Sequence, residues 1–215
     1  MISYSKHNSR NHTHPQAKMQ PFTCSLLSLL FLAIFNFTLI SATSRLLMEA
    51  NSSQIDFIKA SCETTRYADL CFKTLSPFAN TIQTSPMELA NVALIVSLKS
   101  AKSASKAVKG LSKGEGLSMR DGQAVADCLE DMSDSVDEMQ KSMVAMRELD
   151  GPDFKEKMGD VKTWVSAALT DEDTCMDGFE ENGDAKMKET IRGYILNVAE
   201  LTSNALALIS NIYST

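Results

Sequence analysis

Four cysteines beyond the first 44 residues carry the clearest covalent chemistry in this chain. They are Cys62, Cys71, Cys128 and Cys175, whereas the fifth, Cys24, lies in an apolar run near the N-terminus. An even cysteine count in an oxidising compartment indicates two disulfides, and four cysteines allow three pairings. A bridge between Cys62 and Cys71 is the economical choice because these two are close in sequence. That choice leaves Cys128 to pair with Cys175.

Histidine occurs only near the N-terminus, as His7, His12 and His14. The rest of the chain therefore lacks the usual general base and the commonest metal ligand. Serine-histidine and cysteine-histidine hydrolysis are excluded. A carboxylate pair of the glycosidase kind needs a cleft, and a closed helical bundle with Met, Leu and Ala in its core offers none. We expect no enzymatic activity, no metal and no cofactor.

Acidic side chains are the other candidates for a functional surface. Glu130, Asp134 and Asp137 are spaced four and three apart, so they share one stripe on a helix, predicted to lie beside its core seam. Residues 171–173 (Asp-Glu-Asp) precede Cys175 and are expected to add surface acid at the same end if Cys128 pairs with Cys175. The stripe is either a plain solvated helix face or a surface that meets a basic partner.

Residues 1–44 have the layout of a secretory signal peptide. A basic stretch carrying Lys6, Arg10 and Lys18 precedes an apolar run from Leu26 to Ile40, and small residues follow at positions 41–44. The run is shorter than the roughly 18 apolar residues that a membrane span needs. We expect cleavage near residues 42–44, secretion, and no stable membrane association afterwards; an uncleaved anchor is the alternative.

Charge and glycosylation signals fit a secreted protein. The leader holds three basic and no acidic residues, so 18 basic and 27 acidic residues remain, a formal net charge of -9. Such a surface repels nucleic acids and suits either solubility or a basic protein partner. Asn51 begins the one N-glycosylation sequon after the leader and is the predicted glycan site.

Helical periodicity is strong beyond the leader, whereas strand signals are scarce. Two segments repeat apolar residues at spacings of three and four, which predicts core-facing stripes. One stripe comprises Met132, Val136, Met139, Met143 and Met146. The other comprises Met187, Ile191, Tyr194, Val198, Leu201, Ala205, Leu208 and Ile212.

Cap and breaker signals predict where the helices begin and end. Four long helices are expected from Ser85 to about Lys109, Ser118 to about Glu148, Asp153 to about Glu181, and Asp184 to about Ile212. Short connections make neighbouring helices antiparallel. The predicted fold is all-α: an up-down four-helix bundle over residues 81–215, preceded over residues 45–80 by a helical hairpin whose helices span 53–60 and 65–75.

Three segments carry a resemblance to the plant invertase and pectin methylesterase inhibitor family. Residues 61–71 (SCETTRYADLC) resemble its opening motif, and residues 127–131 (DCLED) its third-cysteine segment. Residues 163–170 (TWVSAALT) and 174–179 (TCMDGF) resemble the segment around its fourth cysteine. The resemblance implies a four-helix bundle behind a helical hairpin, with disulfides Cys62–Cys71 and Cys128–Cys175.

The resemblance also implies function by binding, since members of this family cap the active-site groove of a cell-wall enzyme, usually one to one. Residues 163–179 look like the pectin methylesterase branch and like the pro-regions of pectin methylesterases. Invertase inhibitors of the family carry a Pro-Lys-Phe tripeptide before the third cysteine, and residues 111–120 contain neither Pro nor Phe. We expect a secreted pectin methylesterase inhibitor of the apoplast and cell wall. An inhibitor of acid invertase and a non-inhibitory scaffold are the alternatives.

Contact residues follow from the same resemblance. In the family's pectin methylesterase inhibitors, acids two, six and nine residues after the third cysteine contact the enzyme, and they match Glu130, Asp134 and Asp137. The threonine before the fourth cysteine and the acid two residues after it match Thr174 and Asp177. These five residues are the predicted partner-binding set.

Overall fold

Helices are the regular elements of the described chain. The structure, a computed structural model, describes residues 51–113, 117–149, 151–179 and 185–212. The chain divides into two units between Leu47 and Met48, and all described residues belong to the second. The predicted signal peptide, residues 1–44, and the predicted cap at residues 182–184 lie outside the described residues.

Seven α-helices follow one another along the described ranges. Three short ones come first: α1 at residues 51–62, α2 at Ala68–Leu75 and, after a 3₁₀ turn at Ser76–Phe78, α3 at Ala79–Ile82. Four long ones complete the fold: α4 at Pro86–Leu111, α5 at Met119–Arg147, α6 at Phe154–Asp177 and α7 at Ala185–Asn211. No described helix is both long enough and apolar enough to span a bilayer.

The long helices form a closed ring around one core. Helix α4 packs against α5 and α7, and α6 packs against the same two helices. Because the connections are short, neighbours run antiparallel, and the predicted up-down four-helix bundle is confirmed. Met132, Met139 and Met146 of the predicted α5 stripe are buried. In α7 the stripe prediction was wrong at one position: Tyr194 is 44% exposed, and Ile195 is fully buried in its place.

Serine caps begin the first two long helices as predicted. The Ser85 hydroxyl accepts a hydrogen bond from the Glu88 N–H at 3.2 Å, with Pro86 at the first helical position. The Ser118 hydroxyl likewise accepts from the Asp121 N–H at 3.1 Å. The Ser85 N–H donates to the Ile82 carbonyl at 3.1 Å, so the preceding turn satisfies it.

The boundaries of α6 differ from the prediction. Asp153 precedes the helix, but its side chain makes no capping bond, because its backbone (φ -88°, ψ 7°) is turn-like where a capping residue is extended. The helix ends at Asp177, four residues before the predicted end at Glu181. There the chain tightens, and the Phe179 N–H donates to the Met176 carbonyl at 3.2 Å. This turn buries Phe179 against the core.

The N-terminal hairpin packs on the bundle as part of the same core. Cys62 of α1 is bonded to Cys71 of α2, with 5.6 Å between their Cα atoms. Helix α2 begins at Ala68, three residues after the predicted start at Thr65, because the Thr65 hydroxyl donates back to the Cys62 carbonyl at 2.8 Å and closes the turn. Ile58, Leu75 and Ile82 belong to the same apolar cluster as the bundle core.

Candidate functional site

The second disulfide fixes the end of the α5–α6 pair where three predicted contact residues lie. Cys128 is bonded to Cys175, and their Cα atoms are 4.2 Å apart. Glu130 follows Cys128 by two positions, and Thr174 and Asp177 flank Cys175. All three side chains are exposed. The crosslink therefore brings these residues of α5 and α6 to one end of the bundle.

The acidic stripe of Glu130, Asp134 and Asp137 lies on the outer face of α5. All three side chains are exposed, whereas Met132 and Met139 of the same turns are fully buried. At 3.6 residues per turn, the stripe points nearly opposite to these methionines. The expectation that the stripe lies beside the core seam was therefore wrong, and its carboxylates face outward.

A second set of acids lines the seam between α5 and α6. Partial burial and the charge of Asp171 raise the pKa of the Asp131 carboxyl. Partial burial and the nearby charge of Asp134 raise the pKa of Asp171. Glu138 hydrogen-bonds to Asp171, and burial together with the Asp171 charge raises the Glu138 pKa. Protonation of Glu138 would relieve the repulsion between these two carboxylates, which is one physical reason for the raised pKa.

Glu172 is the one residue of the Asp171–Asp173 run that the structure removes from the surface. Its side chain is fully buried, which corrects the expectation that it adds surface acid. Its Oε1 atom accepts hydrogen bonds from the Ser135 hydroxyl at 2.8 Å and the Thr202 hydroxyl at 3.0 Å, while Oε2 has no hydrogen-bond partner among the described residues. Burial raises the pKa of Glu172 to about 8, so the group is mostly protonated at neutral pH.

Sequence periodicity held the signal for this burial. Glu172 follows Val165 by seven positions and Ala168 by four, and it precedes Cys175 by three. All three of those residues are buried. The three- and four-residue spacing of the buried α6 side chains therefore predicts that Glu172 is buried, although its charge alone suggests an exposed position.

The chemistry of this surface is that of a hydrogen-bond acceptor. Exposed carboxylates form bidentate hydrogen bonds with arginine and ion pairs with lysine. Among the described residues, no group of three or more His, Cys, Asp or Glu side chains could hold a metal ion. The α5–α6 face is thus suited to a basic surface on another protein, which its negative field would attract.

The predicted glycan site lies on α1, a different helix from the two that form this face. Asn51 is exposed and is helical, as part of α1. The first short helix was predicted over residues 53–60, whereas the described helix covers residues 51–62 and so includes Asn51. A glycan on this side chain would project from the hairpin.

A family model matches most of the described chain. The description of the model is "Plant invertase/pectin methylesterase inhibitor", and residues 56–208 match it. The matched segment contains both disulfides and all five predicted contact residues.

Individual relatives agree with the family match. Pectinesterase inhibitor 10 of Arabidopsis thaliana is 49% identical to this chain over 172 residues. The match covers 77% of this chain and 54% of the relative, so the chain spans about half of that protein's length. The 21 kDa protein of Daucus carota is 49% identical over 159 residues, covering 72% of this chain and 82% of the relative. A crystal structure of a mutant form of a pectin methylesterase inhibitor from Arabidopsis superimposes on this chain with a TM-score of 0.56 at 18% sequence identity. The superposition covers 69% of this chain and 92% of that one, which shows that the two share a fold.

Proposed function

Because the chain belongs to the plant invertase/pectin methylesterase inhibitor family, we propose that it inhibits a pectin methylesterase by binding over the enzyme's pectin-binding groove. The family is one of inhibitors, and the protein is not an enzyme. The observation that carries the proposal is the exposed acidic face on α5 and α6, held at one end by Cys128–Cys175. Relatives named pectinesterase inhibitors favour this target over an invertase.

Inhibition would result from exclusion of the substrate. Glu130, Asp134 and Asp137 project from the outer face of α5, and Thr174 and Asp177 project from the adjoining end of α6. Basic groups beside the enzyme's groove would bind these side chains in a one-to-one complex. Methylated polygalacturonan then could not reach the catalytic residues, and pectin in the cell wall would remain esterified.

The proposed place of action is the apoplast and cell wall. The leader predicted at residues 1–44 directs the chain to the secretory pathway, where both disulfides form. An N-glycan at Asn51 would be added on the same route. Removal of the leader leaves no stable membrane association in this proposal.

Inhibition assays of the purified, oxidised protein test the proposal directly. Methanol release from esterified pectin by a pectin methylesterase should fall to zero near one equivalent of inhibitor, and light scattering should show a one-to-one complex. Sucrose cleavage by an acid invertase should not change. Inhibition of the invertase alone would move the target to that enzyme. Inhibition of neither enzyme would contradict the proposal and favour a non-inhibitory scaffold.

A further inference from the structure

A groove of about 520 Å³ opens along α5 where the acidic stripe ends. Val144, Ala145 and Trp164 form its apolar part, and Asp137, Lys141 and Glu148 supply charged groups around it. Trp164 comes from α6, so the groove spans the seam between the two helices that carry the proposed contact residues. Val144 is 55% exposed, so its apolar surface at the groove is open to solvent.

The groove continues the acidic stripe along the same helix face. Glu130, Asp134 and Asp137 are followed by Lys141 and Val144 at spacings of four and three, and all five side chains are exposed. Residues at this spacing share one face of an α-helix. Val144 is 14 residues beyond Glu130, which corresponds to about 21 Å at 1.5 Å per residue. One protein–protein interface of about 800 Å² per partner can cover both features.

A chain of hydrogen bonds holds the edge of the groove in place. Lys102 of α4 donates from Nζ to Gln140 Oε1 at 3.2 Å. Gln140 then donates from Nε2 to Asp137 Oδ1 at 3.1 Å. The Asp137 carboxylate is thus oriented before a partner arrives, which reduces the entropy lost on binding. Asp137 belongs to both the stripe and the groove, so it joins the two.

The indole of Trp164 is available to a partner as well. The side chain is partly buried, and no described residue accepts a hydrogen bond from its N–H group. Large aromatic side chains in a partly enclosed site are the usual anchors of protein–protein interfaces. Trp164 presents such a surface beside an oriented carboxylate.

We propose that this groove receives an aromatic or long aliphatic side chain from a basic segment of the target enzyme, with Asp137 binding the adjacent lysine or arginine. The proposal rests on the proposed function and adds an apolar anchor to a surface that is otherwise acidic. Charge selects this occupant, because the carboxylates of Asp137 and Glu148 outnumber the single ammonium group of Lys141 around the groove. The net negative charge attracts a basic peptide segment and repels the carboxylates of polygalacturonate.

Trp164 is the only tryptophan in the chain, so labelling with 5-fluorotryptophan gives a single ¹⁹F resonance that reports on the groove. Addition of a saturating amount of a pectin methylesterase that this protein inhibits should shift or broaden the resonance. The Val144→Arg variant should keep the helical content of the wild type and raise the inhibition constant at least about tenfold, since it blocks an interface anchor with charge and bulk. The matched control is Leu196→Arg on α7, where a leucine is 38% exposed outside the groove, and this variant should inhibit like the wild type.

Two results would overturn the proposed groove while the proposed function stands: unchanged inhibition by folded Val144→Arg, or an unmoved ¹⁹F resonance in a wild-type complex that is fully inhibited. A shift of the resonance on addition of oligogalacturonide alone would make a carbohydrate the occupant and would also overturn the proposal. If the wild type inhibits no pectin methylesterase, the proposed function fails, and the groove proposal fails with it.

Discussion

Asn204 pairs its side-chain amide with both backbone polar groups of Tyr67. The Tyr67 N–H donates to Asn204 Oδ1 at 3.1 Å, and Asn204 Nδ2 donates to the Tyr67 carbonyl at 3.0 Å. Tyr67 lies at the turn between the two hairpin helices, and Asn204 is buried on α7. The last helix of the bundle therefore fixes the hairpin through a contact between residues 137 positions apart.

Replacement of Asn204 by alanine should lower the free energy of unfolding by about 2 to 3 kcal/mol, because two partly buried backbone groups lose their partner. Urea denaturation of the oxidised protein measures this change. The control is Asn197→Ala on the same helix, whose exposed amide donates to Ser100 Oγ at 3.1 Å. That variant should cost less than about 1 kcal/mol, as expected for an exposed hydrogen bond. Equal losses in the two variants would contradict the role given to Asn204.

Buried Glu172 should make the protein less stable as pH rises through the neutral range. Its pKa is about 8 in the folded protein against 4.5 in a model compound, so the folded state retains a proton that the unfolded state releases. Stability is therefore full below pH 4.5 and falls by about 1.4 kcal/mol per pH unit until the folded pKa is reached. The partly buried Asp131, Glu138 and Asp171, whose pKa values are also raised, contribute in the same direction.

Glu172→Gln replaces the protonated carboxyl with a neutral side chain of the same shape. This variant should match the wild type near pH 4.5 and exceed its unfolding free energy by about 3 kcal/mol at pH 7. Asp173→Asn, at the exposed neighbouring position, is the control and should change the pH dependence only slightly, because the Asp173 charge is a minor cause of the raised Glu172 pKa. Wild type and Glu172→Gln with the same pH dependence of unfolding would show that Glu172 is not the titrating group.

Reversal of the charge of the acidic stripe should weaken inhibition strongly without unfolding the bundle. Lysines at positions 130, 134 and 137 would repel the basic surface of the target, and like charges across an interface cost several kcal/mol. The triple variant should raise the inhibition constant by at least about a hundredfold. Its melting temperature and helical content should remain near those of the wild type, because the three side chains are exposed.

A second triple variant distinguishes the effect of where the charges lie from the effect of the total charge. Asp56, Asp69 and Glu189 are exposed on α1, α2 and α7, and their replacement by lysine changes the net charge by the same amount. This control should retain most of the inhibition. Equal loss in both triple variants would indicate a general charge effect and would contradict a specific α5–α6 face.

The two disulfides should contribute unequally to stability. The Cys128–Cys175 bridge spans 47 residues and the Cys62–Cys71 bridge spans 9. In the chain-entropy model these loops correspond to about 4 and about 2.5 kcal/mol, respectively. Replacing each pair with alanines and measuring denaturant unfolding tests the order. A larger loss from the shorter loop would mean that native packing around the hairpin outweighs chain entropy.

The capping residues made two helix starts predictable from the local sequence. Contacts between helices could not be predicted in this way. Ser85 and Ser118 cap their helices because the capping bond is made within four residues. Asp153 fails to cap α6 because it follows a turn in which Gly151 has a positive φ of 97°, and residue type alone does not reveal that backbone path. The predicted α7 stripe includes Tyr194, because spacings of three and four residues fit Tyr194 as well as Ile195.

The candidate site shows the same division between local and tertiary information. Periodicity placed Glu130, Asp134 and Asp137 on one helix face, and their exposure agrees with that placement. Their position opposite the core depends on the way α5 sits between α4 and α6. The burial of Glu172 depends on Ser135 and Thr202, which reach it from two other helices. The groove beside Trp164 likewise forms only where α5 and α6 pack side by side.

Both crosslinks join helices that are close in the chain, which leaves α7 outside every covalent loop that they close. A single cut by a protease between α5 and α6 would leave two fragments still bonded through Cys128 and Cys175. A single cut after Asp177 would instead free the whole of α7, which is attached to the remainder by packing and by hydrogen bonds such as the Asn204 pair. Resistance to proteolysis thus depends on the connections before α5 and before α7, which neither disulfide spans.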